Sequence, residues 1–149
     1  MGKVNFLVVS ELSASSKEEA IEFLIEELDK NNYLSDKEKF YSDVLEREAT
    51  FPTYIGHEIG LPHSQSTGVI KPCVTIGRFK SDIVWTEEKE NANIVFLIAV
   101  PKESQDNLHL KILSKLARLL MHEDFRNNIK TLEKKELLEL LNKSMEEEQ

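Results

Sequence analysis

A histidine set directly after a proline is the first residue of this chain that could do chemistry. In Gly60-Leu61-Pro62-His63 the proline ring fixes its own φ and removes a backbone donor, so His63 stands on stiff backbone at the end of an extended run. A neutral imidazole held in this way is a competent nucleophile or base near neutral pH. It also has a plainer reading, a loop histidine after a turn proline. A second histidine opens the segment His109-Leu110-Lys111-Ile112-Leu113 at the start of a helical pattern, either as a surface or capping residue or as part of a site. Arg47 lies between Glu46 and Glu48. It could pair with them or with Asp43 on a helix surface, an arrangement worth little, or its guanidinium fork could hold phosphoryl oxygens. His57 offers a cation-capable ring for a phosphoryl group, or is a strand residue exposed to water. Ser64 could add a hydroxyl to the same site, although a serine after a turn is commonplace.

Other chemistries find less support in the spacing. His57, His63 and His109 could be zinc ligands, but no paired His-Glu-x-x-His pattern and no Cys or acid at ligand spacing accompanies them. No metal is expected. Cys73 and Arg78 bracket Val74-Thr75-Ile76-Gly77, an apolar, strand-like stretch rather than a donor-rich phosphate loop, so Cys73 reads as a core thiol.

The elements that must position these residues can be read from periodicity. Met1 to Leu12 is a short apolar lead. Ser16-Lys17-Glu18-Glu19 reads as a capping box opening a helix, with Ile21, Leu24, Ile25 and Leu28 on one face and Asn31-Asn32 at its end. A second helix is expected from Ser35-Asp36, carrying Phe40, Val44 and Leu45 inward and stopping before Pro52. Tyr54-Ile55, Ile59-Leu61, Val74-Ile76 and Ile83-Trp85 are short strand candidates. The continuous apolar run Ile94 to Val100 implies a strand buried on both faces and central in the sheet. Pro101 and the polar stretch from Lys102 to Asp106 read as a loop. An amphipathic helix then carries Leu108, Ile112, Leu113, Leu116, Leu119 and Leu120, and a last helix is expected around Leu132 to Leu141. Helices, then strands, then helices predict an α/β fold: one domain over residues 4–145, a mixed sheet flanked by helices, with a disordered acidic tail at 146–149.

Composition bounds the function. The 149 residues suit one core, and 40% apolar with 31% charged residues describes an ordinary globular protein. The apolar runs are too short to span a bilayer, and no signal peptide is expected. One cysteine leaves no internal disulfide and fits a reducing cytosol. The net charge of −8, from 19 basic and 27 acidic residues, argues against a nucleic-acid partner and for steering toward a basic patch on a protein.

Taken together, the Arg47-Glu48 pair, Ile59-Gly60-Leu61-Pro62-His63, and His109-Leu110-Lys111-Ile112-Leu113 followed by Leu116-Ala117-Arg118-Leu119-Leu120 resemble the enzyme IIA domains of the bacterial sugar phosphotransferase system, mannitol/fructose type. The resemblance runs from about Leu12 to Ile129. It implies that His63 is phosphorylated through Nε2 by the histidine-containing phosphocarrier protein. The phosphoryl group then passes to a cysteine of a IIB subunit, which works with a membrane IIC permease. It also implies that His109 and Arg47 lie in the active site, that no cofactor is needed, and that the protein is cytoplasmic. His57 departs from the pattern: mannitol- and fructose-type members usually carry Glu or Asn there, whereas galactitol-type members can carry His. The sugar is therefore not legible. A nitrogen-type regulatory paralogue, whose phosphorylation state controls target binding, is the alternative.

Overall fold

The computed structural model describes residues 4–104 and 107–147. Strand β1 (Asn5–Leu12) is followed by helices α1 (Lys17–Lys30) and α2 (Lys37–Thr50), then by strands β2 (Ile59–Gly60), β3 (His63–Ser66), β4 (Cys73–Val84) and β5 (Asn91–Pro101). Helices α3 (Leu108–Leu119), α4 (Glu123–Thr131) and α5 (Lys134–Glu147) complete the chain. The sheet is mixed. Its order is β1-β4-β5-β2, with β3 also paired to β5; β1 runs parallel to β4, β4 antiparallel to β5, and both short strands parallel to β5.

The central run behaves as its composition demands. Along β5, Ile94, Phe96, Ile98 and Val100 enter a core with Ile112 and Leu116 of α3, Ile129 of α4 and Leu137 of α5. The alternate residues Val95, Leu97 and Ala99 enter a second core with Ile21, Leu24 and Leu28 of α1 and Phe40 and Val44 of α2. A stretch covered on both faces has no solvated side, so every position from Ile94 to Val100 is apolar.

Most helix expectations hold, and their caps explain why. Ser16 is the N-cap of α1, its hydroxyl accepting from Glu19 N–H at 3.1 Å. The return bond is offset by one residue, since Glu19 takes the backbone N–H of Ser15 at 2.8 Å rather than that of Ser16. Asp36 caps α2 through Lys39 N–H at 3.0 Å.

Several boundaries differ from the sequence reading. The N-terminal apolar lead becomes the edge strand β1. Val74-Ile76 and Ile83-Trp85 are not separate runs: one strand, β4, spans Cys73–Val84 with its register shifting between Arg78 and Ile83. Tyr54-Ile55 provides only an isolated bridge, Tyr54 to Gly60. Helix α4, whose short polar sequence escaped notice, precedes a last helix that begins at Lys134 and continues to Glu147. Glu146 and Glu147 are therefore helical rather than part of a disordered tail; positions 148 and 149 lie outside the described residues.

β2 and β3 are two parts of one edge line. Ile59 pairs with Ile94, Gly60 with Val95, His63 with Ile98 and Ser64 with Ala99, a constant offset across the gap. The interruption falls at Leu61-Pro62, where proline has no N–H for the ladder. Its carbonyl still accepts from Ile98 N–H at 3.0 Å. Thus the proline does not break the edge; it stiffens the step immediately before His63.

Candidate active site

His63 opens β3 and is only 4% exposed. Its Nδ1 lies 3.0 Å from the Leu61 carbonyl. A carbonyl oxygen can only accept, so Nδ1 carries the hydrogen and the neutral ring keeps its lone pair on Nε2. Burial is the main influence on the ring and pushes its pKa down. The Leu61 carbonyl opposes this, Arg47 adds to it, Glu48 opposes it, and His109 adds to it. The buried ring is therefore held neutral, with one defined nitrogen available.

Those electrostatic neighbours come from two elements on either side of the edge strand. Arg47 and Glu48 lie in the last turn of α2; His109 lies in the first turn of α3. Arg47 donates from Nη1 to the Phe51 carbonyl at 2.9 Å, which ties its guanidinium to the end of its own helix. His109 is half-buried, and burial pushes its pKa down as well. Its Nδ1 is buried with no hydrogen-bond partner among the described residues. Asn107, the N-cap of helix α3, is left-handed at φ 54 and makes no side-chain cap. Among the described residues, no side chain caps its first-turn N–H groups, a setting that favours an anion.

The remaining candidates fall elsewhere. His57 is exposed, as its plainer reading held, but it lies in a turn and not in a strand. Gly56, His57 and Glu58 are successive positive-φ residues at 83, 54 and 65°. The tight turn that returns the chain to Ile59 needs this backbone, and only the first position is relieved by glycine. The main electrostatic neighbours of His63 do not include His57. Ser64 pairs with Ala99, which belongs to the core under α1 and α2, whereas His63 pairs with Ile98 on the opposite face. Strand alternation therefore separates the Ser64 hydroxyl from the His63 ring, and that hydroxyl bonds to the Gln65 carbonyl at 3.4 Å. Among the described residues, no group of three or more His, Cys, Asp or Glu is arranged to hold a metal ion. Cys73 is buried with its thiol pushed up to about 12, chiefly by burial, which makes it a poor nucleophile and a core residue.

Residues 5–144 match the family described as the phosphoenolpyruvate-dependent sugar phosphotransferase system, EIIA 2. This chain belongs to that family. The EIIA chain is 34% identical over 134 residues to the fructose-specific EIIA component of Haloferax volcanii, covering 89% of this chain and 86% of that one. It is 32% identical over 133 residues to the fructose-specific EIIABC component of Bacillus subtilis, covering 88% of this chain but only 21% of that longer protein. The solved complex of mannitol enzyme IIA with phosphorylated mannitol enzyme IIB from Escherichia coli superimposes with a TM-score of 0.73 at 30% identity, covering 95% of this chain and 96% of that one. As an EIIA component, the chain is a phosphotransferase of the sugar transport system, working by phosphohistidine-dependent transfer. Among the described residues, no helix is long and apolar enough to cross a membrane.

Two parts of the site escaped sequence reasoning. The Leu61 carbonyl that fixes the imidazole is a backbone group and leaves no compositional trace. Glu48 was visible only as part of a pair. Its signal is position: it follows Phe40 and Val44 at four-residue spacing, on the stripe that α2 buries.

Proposed function

We propose that His63 is the phosphoryl acceptor, taking the group on Nε2 from the histidine-containing phosphocarrier protein and passing it to a cysteine of a IIB subunit. With a membrane IIC permease, that relay drives sugar uptake from the cytoplasmic side. One observation carries the reading: the Nδ1 hydrogen of a buried neutral ring is committed to the Leu61 carbonyl, which leaves Nε2 as the nucleophile. The Nε2 lone pair forms a new P–N bond as the donor's P–N bond breaks and the donor imidazole leaves. In the second step the IIB thiolate forms a P–S bond, and the His63 ring departs with Nδ1–H still on Leu61. Phosphoryl transfer through a loose transition state needs positioning and charge stabilisation more than covalent help. Arg47 supplies a guanidinium fork, and the unpartnered edge of His109 with the open α3 N-terminus supplies the other side.

Two relatives above 30% identity are named for fructose, which favours transport over the regulatory reading and makes fructose the first sugar to test. The deciding experiment is incubation with phosphorylated carrier protein, followed by addition of a co-encoded IIB. Acid-labile, base-stable label on His63 that moves to IIB is expected. Label that stays on the chain in the presence of IIB would overturn the transport assignment.

A further inference from the structure

Glu48 is a carboxylate with 4% exposure that the transfer step, as described, does not use. A charge at that depth needs compensation. Lys17 Nζ stands 2.7 Å from its Oε1, and the Thr53 N–H donates to both carboxylate oxygens at 3.2 and 3.3 Å. Lys17, from the first turn of α1, also donates to the Trp85 carbonyl at 3.1 Å and lies 4.8 Å from the Trp85 ring centroid. Trp85 gives its indole N–H to the Thr53 carbonyl at 3.1 Å. That carbonyl also accepts from Leu61 N–H at 3.0 Å, and the Leu61 carbonyl takes the Nδ1 hydrogen of His63. Residues from α1, the end of α2, the end of β4 and the edge strand therefore converge on Thr53 and continue, bond by bond, to the ring.

We propose that the ion pair of half-buried Lys17 with buried Glu48 is a positioning element for His63: acting through Thr53 and Leu61, it fixes the carbonyl that holds the imidazole with Nε2 presented for transfer. The inference rests on His63 being the acceptor. Stability alone is a weak reason for the pair, because apolar residues of similar volume often replace buried ion pairs without loss. Geometry is a stronger one. Pro62 locks its own φ, so the direction of the Leu61 carbonyl depends on how the Leu61 backbone is held. Its N–H is held by Thr53, and Thr53 is held by Glu48 and Trp85. Gly60 closes the same arrangement, since a Cβ there would lie 2.5 Å from Trp85 Cε2. Among the described residues, the charged and titratable groups acting on the ring are Arg47 and Glu48 from α2 and His109 from α3.

The test separates positioning from folding. In the full chain, the double variant Lys17→Met/Glu48→Leu removes both charges while keeping apolar volume. The histidine ring ¹⁵N spectrum should show His63 changing from the Nδ1–H form to a mixture of tautomers. Single-turnover acceptance from phosphorylated carrier should fall by about 10²-fold, the cost of a misplaced reacting group. Glu48→Gln, which keeps an acceptor for Thr53, should recover most of the wild-type ring spectrum. If the double variant does not fold, Trp85→Phe removes the indole donor together with the ring atoms next to Gly60, leaves Lys17 and Glu48 in place, and should give a smaller change of the same sign. Wild-type ring signals in the folded double variant, or in Trp85→Phe where that variant stands in, would overturn the proposal. The spectrum is read without phosphoryl transfer, so this failure is distinct from finding the label on another residue.

Discussion

At the β1 edge of the sheet, Arg78 lines an open cleft of about 340 Å³ together with Lys80 and Lys130. At the other edge, Arg47 is one of the charges that act on the buried ring of His63. Positive charge alone would select the first region. Its polar groups are already engaged. Arg78 gives Nε–H to Ser10 Oγ at 2.9 Å and Nη1 to the carbonyls of Ile129 and Leu132 at 3.0 and 2.6 Å, closing the end of α4 onto β4. Lys80 faces Glu11, and Lys130 faces Glu58, each at 3.9 Å. At the His63 edge, by contrast, His109 Nδ1 has no partner among the described residues. The difference is one of commitment: the guanidinium of the first region is spent on closing the fold, whereas the second keeps an unpartnered polar atom near a buried imidazole.

The comparison breaks most simply at the acceptor. We expect His63→Ala to take up no label from phosphorylated carrier, whereas wild-type label should be acid-labile and base-stable; labelling at the wild-type level in this variant would remove His63 from the mechanism. Next in size are the two flanking groups. His109→Ala should still accept a phosphoryl group but deliver it to IIB more slowly, and Arg47→Ala should slow both steps. Loss of one preorganised donor typically costs about 10²–10³ in rate. Single-turnover rates unchanged by both substitutions would make these residues structural.

The Arg78 edge should respond the other way. Arg78→Ala strands carbonyls that the guanidinium now satisfies, at roughly 1–3 kcal/mol for an unsatisfied buried group. A chain of this size loses about 2–4 °C of Tm per kcal/mol. Thermal unfolding should shift accordingly while transfer, measured well below Tm, stays near wild type. A large transfer defect with unchanged Tm would mean that the cleft takes part in function.

Titration sharpens the contrast further. His63 is pushed below its ordinary value of 6.5, first by burial and then by Arg47 and His109, against the Leu61 carbonyl and Glu48. The folded state thus binds fewer protons than the unfolded state between the lowered value and 6.5. The resulting stability is fully present above 6.5 and is lost as pH falls toward the lowered value. Ring ¹⁵N titration should place the His63 midpoint below 6.5; a midpoint at or above it would show that the ring is more solvated than its burial indicates. The smallest effect concerns encounter. At a net charge of −8, association with a carrier bearing a basic patch should slow with added salt at subsaturating carrier, because screening sets in at about 10 Å at 0.1 M. The saturated transfer step should change much less. An unchanged or faster subsaturating rate would leave docking to apolar contacts, for which exposed Phe51 and Leu110 are the nearest candidates in sequence to Arg47 and His109.

Some of this was determined locally and could be read without coordinates. Apolar periodicity and caps set α1 and α2, the continuous run Ile94 to Val100 set a strand covered on both faces, and Pro62 set the stiff step before His63. These are properties of neighbouring residues, and the folded chain keeps them. Other features depend on distant segments. The strand character of residues 5–12 required β4 as a partner, and the unity of β4 required β5 to bridge its irregular middle. Likewise, His57 and His63 are six positions apart in similar sequence, yet a left-handed turn exposes one while pairing with β5 buries the other. Sequence spacing proposed which side chains could handle a phosphoryl group. Only the packing of α2 and α3 against one sheet edge brought Arg47 and His109 to His63, and only a backbone carbonyl chose which ring nitrogen stays free, because through-space neighbours and hydrogen-bond directions have no local signature in the chain.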